Sequence, residues 1–480
     1  MVDVAVLGNG IPELATALEL AEVGLRVRVY PHAALVPEGG QTSPVPAGAW
    51  DDLSGVSDPE GTLREFLAHV AAPLTEHASG AFALAESVVP RSEPPIAPLL
   101  CGAKGTWLPQ PQPAVVGIPA VPLSSDSLAL LGSRAAARAA VDRVRPVLTI
   151  GKAQSFGALV RARLGAGALA RLVEPLVRET YGAAAEAVDA AIAAPGLNEA
   201  LTRVGTLSGA ALDLADRYVA RETRVAPAAG WGALRTALEA RLRLYAVEFA
   251  SEPAGRVSAL DEGWEIAARG DGASTAVRAL VRGVPEDLEP LVAPAFQPAP
   301  AGDDAIASVA TVLSPLLAQP RRVLGRVAIE PPELPAVQPD GPAVALATLA
   351  NGETWSVRLA PNDTVGVDGW EARVLGPSVP ASDAGPAALP ADAADRVTEA
   401  VRAAGLRPRA AAVSASMPFA PYVSVAGRDN AQVSLSDWCE SHRTELPVGV
   451  ALHGGDLASA IADARERSVT LRRRLAGIAD

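Results

Sequence analysis

The chain is poor in the residues from which metal and hydrolytic sites are built. Two cysteines stand in 480 residues, Cys101 and Cys439, with no C-x-x-C spacing. That excludes a disulfide framework and a cysteine metal site, and both read as small buried hydrophobes. The five histidines, His32, His69, His77, His442 and His453, lack ligand spacing such as H-E-x-x-H. No metal site and no hydrolytic triad is therefore expected. Aromatic residues make up only 4%. No apolar run is long enough to span a bilayer, and no basic amphipathic stretch marks a membrane-surface helix. No charged-then-apolar leader precedes the first strand, which points to the cytoplasm. Positive charge is outweighed: the net charge is −13, so a phosphate backbone is repelled and nucleic acid is excluded as a partner.

What is present is an ordinary folded composition, 49% apolar and 20% charged, in a chain long enough for two or three domains. Its first thirty residues carry the clearest pattern. Val4 to Leu7 suits a buried strand, Gly8-Asn9-Gly10 a tight turn, and Leu14, Ala17, Leu18 and Ala21 a helix. Gly24 breaks that helix, and Val27 and Val29 alternate as a second strand. Strand, glycine turn, helix and strand make a dinucleotide-binding βαβ unit, in which glycines let the backbone approach a pyrophosphate at a helix start. Glu13 stands where the third glycine of G-x-G-x-x-G belongs, and Tyr30-Pro31 where an acidic residue usually grips the ribose.

Further on, Leu63, Leu67 and Val70 suggest a helix, and the proline-rich residues 87–125 suggest extended strands and turns. From Asp126 to Asp216 the period is helical, with Ser155 as an N-cap and Gly165 as a stop. α/β patterning returns near residue 225, with a helix through Leu234, Leu238 and Leu242 and a central strand at Ala279-Leu280-Val281. Residues 296–304 and 331–343 read as loops, and Trp355 to Leu359 as exposed antiparallel strand. A glycine turn at Gly454-Gly455 leads into the last helix. The predicted class is α/β (α+β): a Rossmann-like domain split between both chain ends, a helical insertion and a mixed-sheet substrate domain. The expected segments are 1–85, 226–295 and 426–480 for the split domain, 86–225 for the helical part and 296–425 for the sheet.

Several stretches carry a more specific signal. They are Thr106-Trp-Leu-Pro-Gln-Pro, Val116 to Pro122, Asp142-Arg-Val-Arg-Pro146, Ser155 to Gly165, Leu172 to Gly182 and Ala194-Pro-Gly-Leu197. Together they resemble the bacterial protoporphyrinogen/coproporphyrinogen oxidases of the flavin amine-oxidase superfamily. Ala229-Gly230-Trp231 and Arg256 to Leu260 extend the resemblance over most of the chain.

The resemblance implies FAD in the split domain, held at Gly8, Gly10, Ile11, Gly39, Gly40, Val257, Gly454 and Gly455. It implies a tetrapyrrole substrate whose carboxylates want arginines, with Arg161, Arg163 and Arg178 as candidates and structural ion pairing as their other reading. The flavin would accept hydride and pass it to oxygen; no catalytic residue is identified. A homodimer or a transient contact with a haem-pathway enzyme stays open. The flavin motif is degenerate at three places. Glu13 and Tyr30-Pro31 alter the pyrophosphate and ribose ends, Gln41 stands where an arginine is frequent, and Asp456 and Ala464 replace glycines at the ring end. Three readings follow: an FAD-dependent porphyrinogen oxidase of haem synthesis, a flavin-free porphyrin-binding or scaffold relative, and a flavin oxidase of another substrate such as an amine.

Overall fold

The computed structural model describes residues 2–31, 55–74, 85–145, 154–268, 274–284, 316, 319–332, 343–361, 369–380, 389–409 and 413–478. The chain forms two compact units, one of Met1–Pro94, Arg221–Ala318 and Asn430–Asp480, the other of Pro95–Ala220 and Gln319–Asp429.

The first unit is built from β1 (Val4–Leu7), α1 (Ile11–Ala21), β2 (Val27–Tyr30), α2 (Thr62–Ala71), α3 (Trp231–Leu244), β3 (Glu248–Phe249), β4 (Ala254–Leu260), β5 (Gly263–Ala268), β6 (Ser274–Val277), β7 (Ala279–Gly283), β8 (Glu445–Val448) and α4 (Leu457–Leu475). A five-stranded sheet of order β3-β2-β1-β7-β8 is parallel throughout. Its strands are near-continuous apolar runs because both faces are covered. α1 and α4 pack together over the sheet, and α3 packs on α1 and α2. The opposite face meets the antiparallel sheet β4-β5-β6 through Ala5, Tyr30, Val257, Ile266, Val277 and Leu280.

The local causes are plain. Leu14 and Leu18 recur at helical spacing and are buried; truncating either to alanine costs about 2–5 kcal/mol. Gly24, at φ +87°, supplies the left-handed turn after α1, donating its N–H to Ala21 O at 2.9 Å. The Rossmann-like α/β class expected from the sequence is the one observed.

The second unit packs a helical layer beside a mixed seven-stranded sheet. Ser155 caps the helix Phe156–Leu164, its hydroxyl accepting from Ala158 N at 3.2 Å, and Gly165 at φ +93° ends it. The sheet order is Ser414–Ser416, Leu324–Ile329, Trp370–Leu375, Thr354–Pro361, Ala343–Thr348, Leu99–Cys101, Trp107–Pro109.

Two expectations are corrected. The strand Thr354–Pro361 is antiparallel but not exposed: Trp355, Ser356, Val357 and Leu359 are all buried. Helix Glu174–Tyr181 and helix Ala393–Ala403 both lie on it, and alternation along one strand cannot reveal that cover. Cys439 is buried as expected, but Cys101 is exposed.

Candidate functional site

The candidate site lies in the first unit, at the carboxyl ends of β1, β7 and β8. The chain leaves β1 towards β2 on one side, and β7 lies on the other. Open parallel sheets hold ligands at such a switch point. Gly8 turns the chain out of β1 at φ +127°, and its N–H donates to Tyr30 O at 2.8 Å. Gly10 is the N-cap of α1 and Ile11 its first residue. At the same end of the sheet, the chain leaves β8 through Gly449. A Cβ on Gly449 would stand 2.3 Å from Val284 O, so only glycine passes this close to the end of β7. Gly454 and Gly455, at φ +66° and +83°, then turn into α4. Two helix N-termini therefore face one end of the sheet.

Glu13 decides what that end can hold. It sits in the first turn of α1, where a glutamate side chain can fold back towards the N-cap residue. It is 2% exposed. Its Oε2 lies 2.5 Å from where a Cβ on Gly10 would be, and its Oε1 2.5 Å from where one on Gly283 would be. The carboxylate fills the gap between the glycine turn and the end of β7. A negative charge there is favourable, about 0.3–1 kcal/mol at a helix N-terminus. Pro12, in the same turn, has no N–H, so one donor of an N-terminal anion site is missing.

The other two ends of the expected cofactor site follow the same logic. Tyr30 is 1% exposed and packs into the core beneath β4-β5-β6, so the end of β2 offers no acid to a ribose. Asp456 is the N-cap of α4. Its Oδ1 accepts from Ala458 N at 3.0 Å and Ser459 N at 3.3 Å, and its Oδ2 from Ser459 Oγ at 2.7 Å. Each helix N-terminus thus already carries a carboxylate of the chain itself.

A pyrophosphate at the glycine turn would meet the bulk that Glu13 adds between Gly10 and Gly283. It would also bring like charge beside a buried carboxylate, a repulsion of about 4 kcal/mol per unit-charge pair at 4 Å for an effective dielectric of 20. These residues do not fit an FAD pyrophosphate bound against the glycine turn.

The structure brings Gly8, Gly10, Ile11, Gly454 and Gly455 to one end of the sheet. Val257 lies apart from them in β4, paired with Ile266 and 6% exposed. Gly39, Gly40 and Gln41 lie outside the described residues, as do the loop at 296–304 and most of that at 331–343. In the second unit, Arg161 pairs with Glu186 at the surface. Arg163 is buried against Asp142 and donates to Gly205 O at 2.8 Å, and Arg178 pairs with Glu174 at 2.6 Å. All three arginines have an acidic partner within their own unit.

Two ion pairs of the first unit lay beyond sequence reading, because nothing in either residue's neighbourhood points to its partner. Arg282 and Glu445 pair inside the parallel sheet, each about 4% exposed. Burial lowers the Arg282 guanidinium to about 10. His453 lies 3.4 Å from Asp463, tying the turn before Gly454 to the body of α4. Burial alone would raise the Asp463 carboxyl, but the hydrogen bond and charge of His453, together with Arg467, hold it below its ordinary value. Among the described residues no group of three His, Cys, Asp or Glu side chains could hold a metal ion.

No family model matches the chain, and no curated protein matches it. Solved structures do. A proposed protoporphyrinogen oxidase from Exiguobacterium sp. 255-15 superposes with a TM-score of 0.64 at 15% identity, over 98% of this chain and 99% of that one. This chain has its fold. Reduced UDP-galactopyranose mutase is similar at TM-score 0.55 and 12% identity, over 100% of this chain and 96% of that one. A CLA-producing fatty acid isomerase from P. acnes is similar at 0.52 and 12%, over 98% of each chain. No helix among the described residues is long and apolar enough to cross a membrane.

Proposed function

We propose that this protein is a flavin-free relative of the porphyrinogen oxidases, kept as a binding or scaffold protein with a tetrapyrrole as its ligand class. The observation that carries this reading is the buried Glu13 carboxylate, packed between Gly10 of the glycine turn and Gly283 at the end of β7. Asp456 on the second helix N-terminus supports it. The tetrapyrrole rests on the motifs at residues 106–197 and on the likeness to a proposed protoporphyrinogen oxidase.

The test is spectroscopic. Purified protein is expected to show no flavin absorbance bands and to stay colourless after titration with FAD and gel filtration, and to shift the Soret band of added coproporphyrin or protoporphyrin. Yellow protein that releases stoichiometric FAD on denaturation would falsify the flavin-free reading. Unperturbed porphyrin spectra at high protein excess would remove the tetrapyrrole.

A second reading is favoured by the full-length likeness at TM-score 0.64: an FAD-dependent oxidase taking a porphyrinogen to a porphyrin with oxygen. It requires FAD to seat without the glycine-turn contact. Consumption of coproporphyrinogen or protoporphyrinogen with release of peroxide, by protein carrying FAD, establishes it.

A further inference from the structure

The opposite end of the same sheet is open. A groove of about 710 Å³ lies at the amino ends of β7 and β8. Its walls are the β4–β5 turn at Leu260 to Gly263, the residues entering β7 and β8, and the last turn of α4 with Ile478 beyond it. Its volume falls within the roughly 300–1,000 Å³ range of small-molecule sites.

Its chemistry is divided. Arg278 precedes β7, Arg443 precedes β8, and Arg474 lies in the last turn of α4, so three separate elements each bring an arginine to the lining of one groove. Two of them are held in place by backbone carbonyls: Arg278 donates to Leu475 O, and Arg474 to Cys439 O at 3.2 Å. Arg278 also stands 3.9 Å from Asp3. Held guanidiniums lose less freedom when they meet a carboxylate or phosphate, and their planar fork suits either. Asp261 and Glu262 line the groove too, but on the exposed tip of the β4–β5 turn.

The other wall is apolar. Leu260 is 44% exposed and Ile478 53%. Trp264 lines the groove as well, its indole N–H donating to Thr444 Oγ1 at 3.3 Å and the Arg282 guanidinium lying 5.6 Å from its ring centre. Arg278, Arg443 and Arg474 outnumber Asp261 and Glu262 along the groove and lie beside exposed aliphatic and indole surface, in a protein of net charge −13.

We propose that this groove binds an amphipathic organic anion, one acidic head on the arginines and an apolar body on Leu260, Trp264 and Ile478. This site is independent of the glycine-turn end and of whether a flavin binds there.

The experiment uses the full chain and the fluorescent sulfonate 8-anilinonaphthalene-1-sulfonate. Wild-type protein is expected to bind one probe saturably, with blue-shifted emission. Dodecanoate displacing it identifies a carboxylate head, and phenyl phosphate displacing it a phosphoryl head. Arg443→Ala and Arg474→Ala are each expected to weaken the probe about tenfold, the scale of one charge-assisted contact. Leu260→Asp, on an exposed turn, is expected to weaken it similarly with an unchanged thermal transition. That variant keeps the test valid if an arginine substitution impairs folding. Non-saturable wild-type binding, or saturable binding that none of these substitutions alters, overturns the proposal.

Discussion

The two ends of the parallel sheet in the first unit are built to opposite plans. At the carboxyl ends of the strands, where this fold is expected to receive an anionic cofactor, the chain supplies the anions itself: Glu13 at α1 and Asp456 at α4. At the amino ends, arginines from three elements meet around a groove. A parallel sheet makes the first end the natural ligand site, because helix N-termini point there. Filling those N-termini with side chains removes the attraction without changing the fold. What positions a ligand site is therefore separable from what charges it, and a structure can keep the one and lose the other.

The comparison can be broken most severely through the buried pair that ties β7 to the edge strand β8. Glu445→Ala leaves Arg282 buried without its carboxylate, and an expected loss of about 3–5 kcal/mol shows as a large fall in denaturation midpoint. A loss below about 1 kcal/mol would mean that the pair is solvated and the sheet interior less dry than its burial indicates.

Asp456→Ala removes the cap of α4. About 1 kcal/mol of stability should go, a drop of roughly 2–4 °C in Tm for a unit of this size. Asp456→Asn should retain most of it, since the amide oxygen still accepts. If both variants melt like wild type, the cap contributes nothing and Asp456 loses its structural explanation.

Acid gives the smallest effect. The Glu22 carboxyl would be raised by burial, but His69 and Arg241 bring it below its ordinary 4.5, and Asp463 is likewise lowered from 3.8. Both carboxyls are depressed in the folded state. Their stabilisation is therefore full above the unfolded values and is lost as pH falls through the folded ones, so stability should decline below about pH 4.5. Asp463→Asn should flatten part of that decline in urea melts between pH 5 and 3. An identical slope in wild type and variant would remove Asp463 from the account.

Much of the closed end was readable in the chain. Val4 to Leu7, Gly8, Gly10, the Leu14–Leu18 spacing and Gly24 specify strand, turn, helix and return, because each depends on local geometry alone. Glu13 was readable as a misfit but not as an occupant. Its carboxylate meets Gly283, a residue brought close only by the pairing of β1 with β7. The arginine groove was not readable at all. Arg278, Arg443 and Arg474 lie in separate stretches, and only parallel strand order and the return of α4 bring them together. The buried strand at Trp355 failed for a related reason, since its second cover comes from a helix distant in sequence.

The claim that Glu13 stands in for a cofactor's charge is tested most directly by FAD titration of three proteins: wild type, Glu13→Gln and Glu13→Gly. Affinity should rise in that order, with the glycine variant at least about tenfold tighter than wild type, since relief of 1.4 kcal/mol already gives tenfold. Unchanged or weaker binding in Glu13→Gly, in protein that remains folded, would contradict it.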